Sequence, residues 1–403
     1  MVTYSVQQSA HQLTHQLTHQ PSRRSLSTWG ALLVAVATAL GCDEEPPTMT
    51  GTPTTWKLLE WAATGPVEKK QASAPVSQEQ EGREDQEIQE DDDTEPNTLK
   101  EQREVLFRRM KTYFGFADET MVEVRKLFEA SAILGQGNPA ETTHPMKRSE
   151  CFQIRNDAGL PQVNDPVCGM RNMVPLYDPR TDEQAQDARV CIDQYEFPNM
   201  PCEYPVVHVT AREAALLCKA VGKRLCDAHE WEGACAGYLR DPKEEYAFGR
   251  SRRDMKSIHN TNREILWAYG KEKNHLLCGT KSTKNSACQG GGYKRCGSNT
   301  YPAGAFPQCV SSLGVFDQHG NAAEHMNYPM KPDQLASFGK YGETEMKGSW
   351  FIFASYEAHE DDCHWRAPDW HATAVMSTGS HSNYHLGFRC CADVGNSGKD
   401  TSP

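Results

Sequence analysis

The sequence of 403 residues contains no Cys-x-x-Cys pair, no Gly-rich phosphate loop, no His-Glu-x-x-His motif and no nucleophile elbow. These absences argue against P-loop nucleotide hydrolases, zinc metallopeptidases and α/β-hydrolases. Basic residues are also in deficit, because 42 Lys and Arg against 54 Asp and Glu leave a net charge of −12. A nucleic-acid partner requires basic patches that neutralise phosphate, so we expect none.

Hydrophobic residues are scarce for a folded chain of this length, at 38%, with a mean hydropathy of −0.69. We therefore expect part of the chain to be disordered.

The apolar run at residues 29–41 is too short for a stable membrane-spanning helix. It follows Arg23 and Arg24, and this layout predicts a secretory signal peptide over residues 1–41. Residues 1–22 lie upstream of the charged region and are consistent with a start codon assigned too early.

The apolar run ends in TALGC at residues 38–42, which resembles a lipobox with Ala39 in place of the usual leucine. Cleavage before Cys42 would leave that cysteine as the lipid-carrying N-terminus. An ordinary signal peptide followed by an incidental cysteine is the alternative. We expect an exported protein of the cell envelope, anchored by lipid to a membrane on its periplasmic side or at the cell surface.

The other fourteen cysteines all lie between Cys151 and Cys391. An even number of cysteines confined to one region is typical of disulfides formed in an oxidising compartment. A cytosolic zinc protein is the alternative, and the absence of Cys-x-x-Cys spacing argues against it.

Residues 42–98 read as an acidic disordered tether. Between Glu79 and Glu95 there are ten acidic residues against the single Arg83. Self-repelling charge with almost no apolar residues cannot offset the entropy of ordering, so this segment should be extended. Capture of a cation by the three aspartates at 91–93 is the alternative.

Apolar residues recur at helical spacing over residues 99–140, with a break at Gly115, and predict a helical hairpin.

Residues 151–393 are rich in Gly, aromatic residues and Cys, with one clear amphipathic helix at 212–221 and long irregular stretches. We expect disulfides to supply the constraint that these stretches lack. Residues 394–403 should form a disordered tail.

Within residues 151–393, four segments resemble motifs of the formylglycine-generating (sulfatase-modifying factor) family, in the same order. The family motifs are ID-x-YEVTN, PV-x-x-VSW…GKRLPTEAEWE, GLYDMxGNVWEW and GGSW…GFRC. Here they read CIDQYEFPN at 191–199, PVVHVT at 205–210 with GKRLCDAHEWE at 222–232, GVFDQHGNAAE at 314–324, and KGSW at 347–350 with GFRC at 387–390. The resemblance implies the family's α+β, C-type-lectin-like fold, with small sheets, few helices and much irregular chain.

The resemblance also implies partners for some cysteines. It pairs Cys218 with Cys390, and Cys235 with Cys363 if one inserted residue is allowed. Cys391 is additional, and it should face away from Cys390 because adjacent strand residues face opposite sides. Cys226 is our guess for its partner.

The family holds a calcium ion in the turn of the third motif. Carried over by position, the ligands are a side-chain oxygen of Asp317, the carbonyls of Gly320 and Ala322, and the carboxylate of Glu324. Hard oxygen donors in a tight Gly-containing loop suit calcium. The alternative is a turn in which Asp317 caps the backbone and Glu324 is solvated.

The family's catalytic motif is missing. Its oxidases bind copper(I) through two thiolates in G-S-[YW]-x-C-x-x-S-Y-C and act on a Cys-x-Pro-x-Arg peptide, and two soft sulfur ligands suit that ion. Here Ile352 and Glu357 occupy the thiolate positions, and Ala323 replaces a family tryptophan. Formylglycine generation by the known mechanism, and copper binding, are therefore not expected.

A histidine-rich stretch offers another candidate metal site. It contains His359, His364, His371, His381 and His385, together with Glu357, Glu360, Asp361 and Asp362. Imidazole with carboxylate is a ligand set for non-haem iron or zinc, which makes His359, His364 and Glu357 candidate catalytic residues. Surface histidines in a polar loop are the alternative. The same stretch contains three tryptophans, Trp350, Trp365 and Trp370. Their side chains could line a shallow ligand-binding cleft or belong to the core.

The sequence therefore supports two hypotheses. The first is an envelope lipoprotein whose domain is a non-catalytic binding or scaffold module with calcium in its loop, the protein or small-molecule ligand being unidentified. The second is an oxygen-dependent oxidoreductase of the same superfamily that acts on a protein cysteine or small substrate through iron in the histidine stretch.

Overall fold

A computed structural model describes residues 93–160, 164–337, 340–369 and 372–395. Several features expected from the sequence lie outside these residues: the signal peptide (1–41), Cys42, residues 42–92 of the tether, Trp370, His371 and residues 396–403 of the tail. Among the helices of the described residues, none combines the length and apolar character needed to cross a bilayer.

The region predicted as a helical hairpin contains two helices, α1 (Leu99–Phe114) and α2 (Asp118–Ala130). Helix α1 begins at a capping box, in which the Thr98 hydroxyl accepts from the Glu101 N–H and the Glu101 carboxylate accepts from the Thr98 N–H. It ends at Gly115, whose φ of 65° is the left-handed conformation that stops a helix.

Short helices and strands alternate with irregular chain in the rest of the molecule. The further helices are α3 (Arg148–Asp157), α4 (Ala211–Ala220), α5 (Ala228–Ala236), α6 (Pro242–Glu245) and α7 (Arg252–Asn262). The strands are β1 (Met173–Leu176), β2 (Val190–Asp193), β3 (Arg224–Leu225), β4 (Ala323–Tyr328), β5 (Glu343–Lys347), β6 (Leu386–Phe388) and β7 (Cys390–Asp393). The α+β class is confirmed.

Two small sheets organise the domain. One has four antiparallel strands in the order β1-β2-β7-β3, and the other has three strands in the order β5-β4-β6. In the second sheet β4 pairs antiparallel with β5 and parallel with β6. Strands β6 and β7 are consecutive, so the segment 386–393 belongs to both sheets and joins them.

The hydrophobic core has two main parts. In the first, α1 and α2 pack on α4 and on Phe388, with Phe107, Phe128 and Leu217 buried together. In the second, the side chain of Trp231 on α5 is fully buried among residues of β1, β2 and β4. The helical pair is thus continuous with the core of the domain.

Seven disulfides use all fourteen cysteines from Cys151 to Cys391, which confirms the expectation of a disulfide-bonded domain. The pairs Cys218–Cys390 and Cys235–Cys363 are those that the resemblance implied, and Cys226–Cys391 is the pair guessed for the additional cysteine. The remaining pairs are Cys151–Cys202, Cys168–Cys191, Cys278–Cys309 and Cys288–Cys296.

Candidate functional site

The two positions that correspond to the family's copper thiolates lie in different surroundings. Ile352 is buried in a small apolar cluster with Phe351 and Phe353. The Glu357 side chain is about half exposed, with its carboxylate 2.6 Å from the Lys273 ammonium. One position is therefore apolar core and the other a surface ion pair, and neither provides a soft ligand.

Next to these positions, Ser349 connects the turn predicted to hold calcium (residues 317–324) to the buried carboxylate of Asp361. Its hydroxyl accepts from the Gly320 N–H at 2.9 Å and donates to Asp361 at 2.9 Å. The Trp267 indole N–H also donates to Asp361, at 3.0 Å. Burial alone would raise the pKa of Asp361, but hydrogen bonds from His275 and Trp267, with the His319 ring nearby, hold it far below its usual value. The Asp361 carboxylate is therefore ionised, and its charge is stabilised by hydrogen-bond donors around it.

His359 belongs to an aromatic cluster. Its ring stacks on Trp365 at a centroid distance of 4.7 Å and lies 5.5 Å from the Trp350 ring. On the other side, Trp350 stacks on His385, also at 4.7 Å. The indole nitrogen of Trp350 and Nδ1 of His385 have no hydrogen-bond partner among the described residues. The cluster is thus a stacked aromatic assembly whose rings are largely buried, with Trp350 only 6% exposed.

His364 lies in a separate cluster. Its Nε2 is 3.1 Å from the Tyr238 hydroxyl, and its surroundings include Glu232, Glu245 and His259. Burial lowers the pKa of His364 to about 4, so it is neutral at physiological pH. The structure places the candidate residues His359, His364 and Glu357 apart: in the described residues, the potential metal-ligand group that contains His364 contains neither of the other two.

The carboxylates near His364 already have cationic partners. The Arg366 guanidinium contacts both oxygens of Glu232 at 2.9 Å, and the Lys347 ammonium lies 3.0 Å from Glu232. Burial raises the pKa of Glu232, but Arg366 and Lys347 more than compensate and place it well below its usual value. A metal ion here would have to displace a buried guanidinium, so we interpret the cluster as structural. Sequence reasoning missed it because Glu232 and Arg366 are 134 residues apart.

The turn predicted to hold calcium is fully buried. Asp317 has a φ of 58°, and its carboxylate accepts from the Gly304 N–H. Glu324, on β4, accepts from the Arg389 guanidinium at 2.7 and 2.6 Å and from the Trp231 indole at 2.8 Å. Glu324 is thus not solvated, contrary to the alternative interpretation from the sequence.

A third carboxylate, that of Glu196, also contacts this turn, and the sequence analysis did not identify it. Glu196 accepts from the Ala322 N–H at 2.8 Å and from the Asn321 side chain at 2.6 Å. Burial, together with the charges of Asp317 and Glu324, raises the pKa of Glu196 well above its usual value. Its position in the YEVTN-like motif was visible in the sequence, but nothing there indicated contact with the turn 125 residues later.

This turn gathers buried acidic charge of the kind that a cation such as calcium offsets, but both oxygens of Glu324 are already bound by the Arg389 guanidinium, as those of Glu232 are by Arg366. Glu196, Asp317 and Glu324 are each at most 1% exposed, and Arg389 is the guanidinium that pairs directly with Glu324. Burial also raises the pKa of Asp317. An excess of buried negative charge of this kind is relieved by protonation or by a cation. The residues that would hold the ion are Asp317 and Glu324, with the carbonyls of Gly320 and Ala322.

The family model described as "Sulfatase-modifying factor enzyme 1-like domain" matches residues 185–394, slightly more than half of the chain. The chain belongs to this family. The formylglycine-generating enzyme of Mus musculus is 28% identical over 193 residues, which are 47% of this chain and 44% of the mouse enzyme. This sulfatase-modifying-factor-like chain thus spans less than half the length of the curated relative that it matches.

The sulfatase-modifying-factor-like domain also has a match among solved structures. The crystal structure of CarF covers 55% of this chain and 96% of the CarF chain, at 13% identity and a TM-score of 0.31. This similarity is too low to carry an argument, and family membership rests on the sequence match.

Proposed function

We propose that this sulfatase-modifying-factor-like protein is a non-catalytic binding or scaffold module of the cell envelope. One observation carries the proposal: Ile352 and Glu357 occupy the thiolate positions while every cysteine from Cys151 to Cys391 is in a disulfide. A soft metal that activates oxygen against a substrate thiol needs thiolate ligands at the reacting position. The oxidised domain has none to offer.

Calcium would support the module by stiffening the turn that leads into strand β4. Asp317 lies in this turn and Glu324 lies on β4, where it is also bound by Arg389 next to β6. An ion at this turn would offset the buried acidic charge and couple the turn to β4. Purified protein should therefore contain calcium.

The aromatic cluster is our candidate ligand surface. Trp350 and His385 are stacked, and their unpartnered nitrogens are themselves buried, so a ligand would first meet the Tyr356 ring beside Trp350, which is 62% exposed. Amphipathic aromatic side chains of this kind supply both contact area and polar specificity in ligand clefts.

Export and lipid anchoring are part of the proposal and rest on the sequence. The signal-peptide layout and the lipobox-like Cys42 support them, and seven disulfides are in keeping with an oxidising compartment. Full-length protein made in a bacterial host should partition into the detergent phase. Cys42→Ala should move it to the aqueous phase, and unchanged partitioning would contradict the anchor.

The competing hypothesis is an iron-dependent oxidoreductase that uses His359, His364 and Glu357. These residues lie in three separate environments, and Arg366 neutralises the carboxylates closest to His364. Elemental analysis separates the two hypotheses. We expect calcium without stoichiometric iron or copper, whereas stoichiometric iron lost on His359→Ala or His364→Ala would favour the oxidoreductase.

A further inference from the structure

The disulfide Cys235–Cys363 lies against the imidazole ring of His319. Nε2 of His319 lies 3.3 Å from the Cys235 sulfur and 3.9 Å from the Cys363 sulfur. All three side chains are at most 1% exposed. In the described part of the chain, this is the one disulfide whose sulfurs form a potential metal-ligand group with an imidazole.

The far side of the imidazole faces a carboxylate. Nδ1 of His319 lies 3.8 Å from an oxygen of Asp361, the ionised residue anchored by Ser349 and Trp267. Metal-binding histidines commonly direct their second nitrogen at such an outer carboxylate, which fixes the ring orientation and raises the basicity of the ligand. Asp361 is therefore placed on the side of the His319 ring where such a carboxylate would orient it.

The distances fit a tetrahedral ion once the disulfide is open. With metal–sulfur and metal–nitrogen bonds of zinc-like length, neighbouring ligands should be about 3.6 Å apart for sulfur and nitrogen and about 3.8 Å for the two sulfurs. The two sulfur–nitrogen distances, 3.3 and 3.9 Å, already bracket that value. The sulfurs alone must separate, after the bond between them breaks.

We propose that reduction of Cys235–Cys363 creates a buried Cys-Cys-His site for a thiophilic divalent cation such as Zn²⁺ or Cd²⁺. A dithiol reductant gives two electrons and two protons to the disulfide and is itself oxidised to a disulfide. The cation then displaces the two thiol protons and binds both thiolates and Nε2 of His319. The Ala268 N–H, which donates to that nitrogen at 3.0 Å, gives up this hydrogen bond.

Charge balance favours this site. Two thiolates and a divalent cation are neutral together, so the buried cluster gains no net charge when the ion enters. His319 belongs to the turn predicted to hold calcium, but the calcium ligands named there are oxygen donors of other residues, and the non-catalytic function proposed above does not depend on the sulfur site.

A second disulfide provides a matched control. Cys226–Cys391 lies beside Glu230 in a similar group of three potential ligands. Both Glu230 oxygens are bound by the Arg224 guanidinium, at 2.8 and 2.6 Å. Its third potential ligand is thus already neutralised, so reduction there should not create a comparable site.

The test equilibrates the full chain, without denaturant, in dithiol redox buffers of graded potential, with and without Cd²⁺. Differential alkylation and mass spectrometry report the reduced fraction of each disulfide, and ultraviolet absorption reports cadmium–thiolate bonds. Near-ultraviolet circular dichroism shows whether the fold persists. If a variant does not fold, the wild-type chain still tests the proposal, with Cys226–Cys391 as the internal control.

At Cd²⁺ concentrations about tenfold above Kd, the equilibrium of Cys235–Cys363 should shift by about tenfold towards the dithiol. Cys226–Cys391 should not shift, and His319→Ala should abolish the effect while Glu230→Gln preserves it. The proposal is overturned if cadmium leaves Cys235–Cys363 unshifted, shifts all disulfides together as the chain unfolds, or binds His319→Ala equally well.

Discussion

Cys390 and Cys391 are adjacent in sequence, yet their disulfides lead to opposite sides of the domain. Cys390 bonds to Cys218 on α4, within the core that the N-terminal helices share. Cys391 bonds to Cys226 in the core beneath α5. Because neighbouring strand residues face opposite sides, strand β7 is covalently linked to both parts of the hydrophobic core.

Removing the bond at this strand should be costly. The Cys218–Cys390 disulfide closes a loop with a sequence separation of 172, and Cys288–Cys296 closes one of 8. On the chain-entropy model, loss of the first should cost about 5 kcal/mol and loss of the second about 2.5 kcal/mol. Urea unfolding of the two double-alanine variants measures the difference. Equal losses would contradict a role for loop length.

Much of the fold could be predicted from short sequence motifs and from the local spacing of apolar residues. The four motifs located the domain, and the pairings Cys218–Cys390 and Cys235–Cys363 came with the resemblance. Pairs outside the motifs, such as Cys151–Cys202, could not be deduced, because the choice of partner depends on irregular loops that bring distant residues together. The spacing of apolar residues around Gly115 was enough to place two helices, but not their packing on α4.

The buried ion network around Arg366 should be essential for stability. Its guanidinium is fully buried and paired with Glu232, so Arg366→Met would leave that carboxylate with Lys347 as its direct cationic partner. Breaking a buried pair costs about 3–5 kcal/mol. As a control, Lys340→Met removes an exposed pair with Asp333 and should cost at most about 1 kcal/mol. Thermal unfolding compares the two, and similar small losses would contradict this account of the network.

Stability should fall as the pH drops below neutrality. Burial lowers the pKa of His364 to about 4, whereas an unfolded histidine titrates near 6.5. Between these values the unfolded chain binds a proton that the folded chain does not, so stability decreases with falling pH. The slope should be up to about 1.4 kcal/mol per pH unit for this group. His364→Gln should flatten the dependence measured by urea unfolding from pH 6.5 to 4.5, and an unchanged slope would count against it.

Calcium should stabilise the protein through Asp317. Saturation at about one hundred times Kd would contribute about 2.7 kcal/mol, seen as a higher Tm than in chelator. Asp317→Asn should lose most of this increase, because it removes a charged oxygen ligand. Asp333→Asn, at an exposed 3₁₀ turn, is the matched control and should keep it. An equal increase in both variants would place the ion elsewhere.

The candidate site was less predictable than the fold. His359 and His364 are five positions apart, yet one stacks on Trp365 and the other packs by Tyr238, because the chain between them is irregular and has no helical or strand period. Glu196 and His319 were missed for a related reason: their roles come from contacts with Ala322, Cys235 and Asp361 that only the tertiary structure creates.

The copper positions themselves can be restored. Ile352→Cys with Glu357→Cys recreates the spacing C-x-x-S-Y-C, since Ser355 and Tyr356 already lie between them. The double variant should bind copper(I) under anaerobic titration, while wild-type protein with intact disulfides should not. Tight binding by the wild type would mean that other ligands replace the missing thiolates.

The most direct measurement of the central claim is oxidation of a Cys-x-Pro-x-Arg peptide by the purified full chain, supplied with copper(I) and oxygen. Mass spectrometry of the peptide reports any formylglycine. We expect no conversion above the protein-free control, because Ile352 and Glu357 supply no thiolate at the reacting position. Protein-dependent formylglycine would contradict the account.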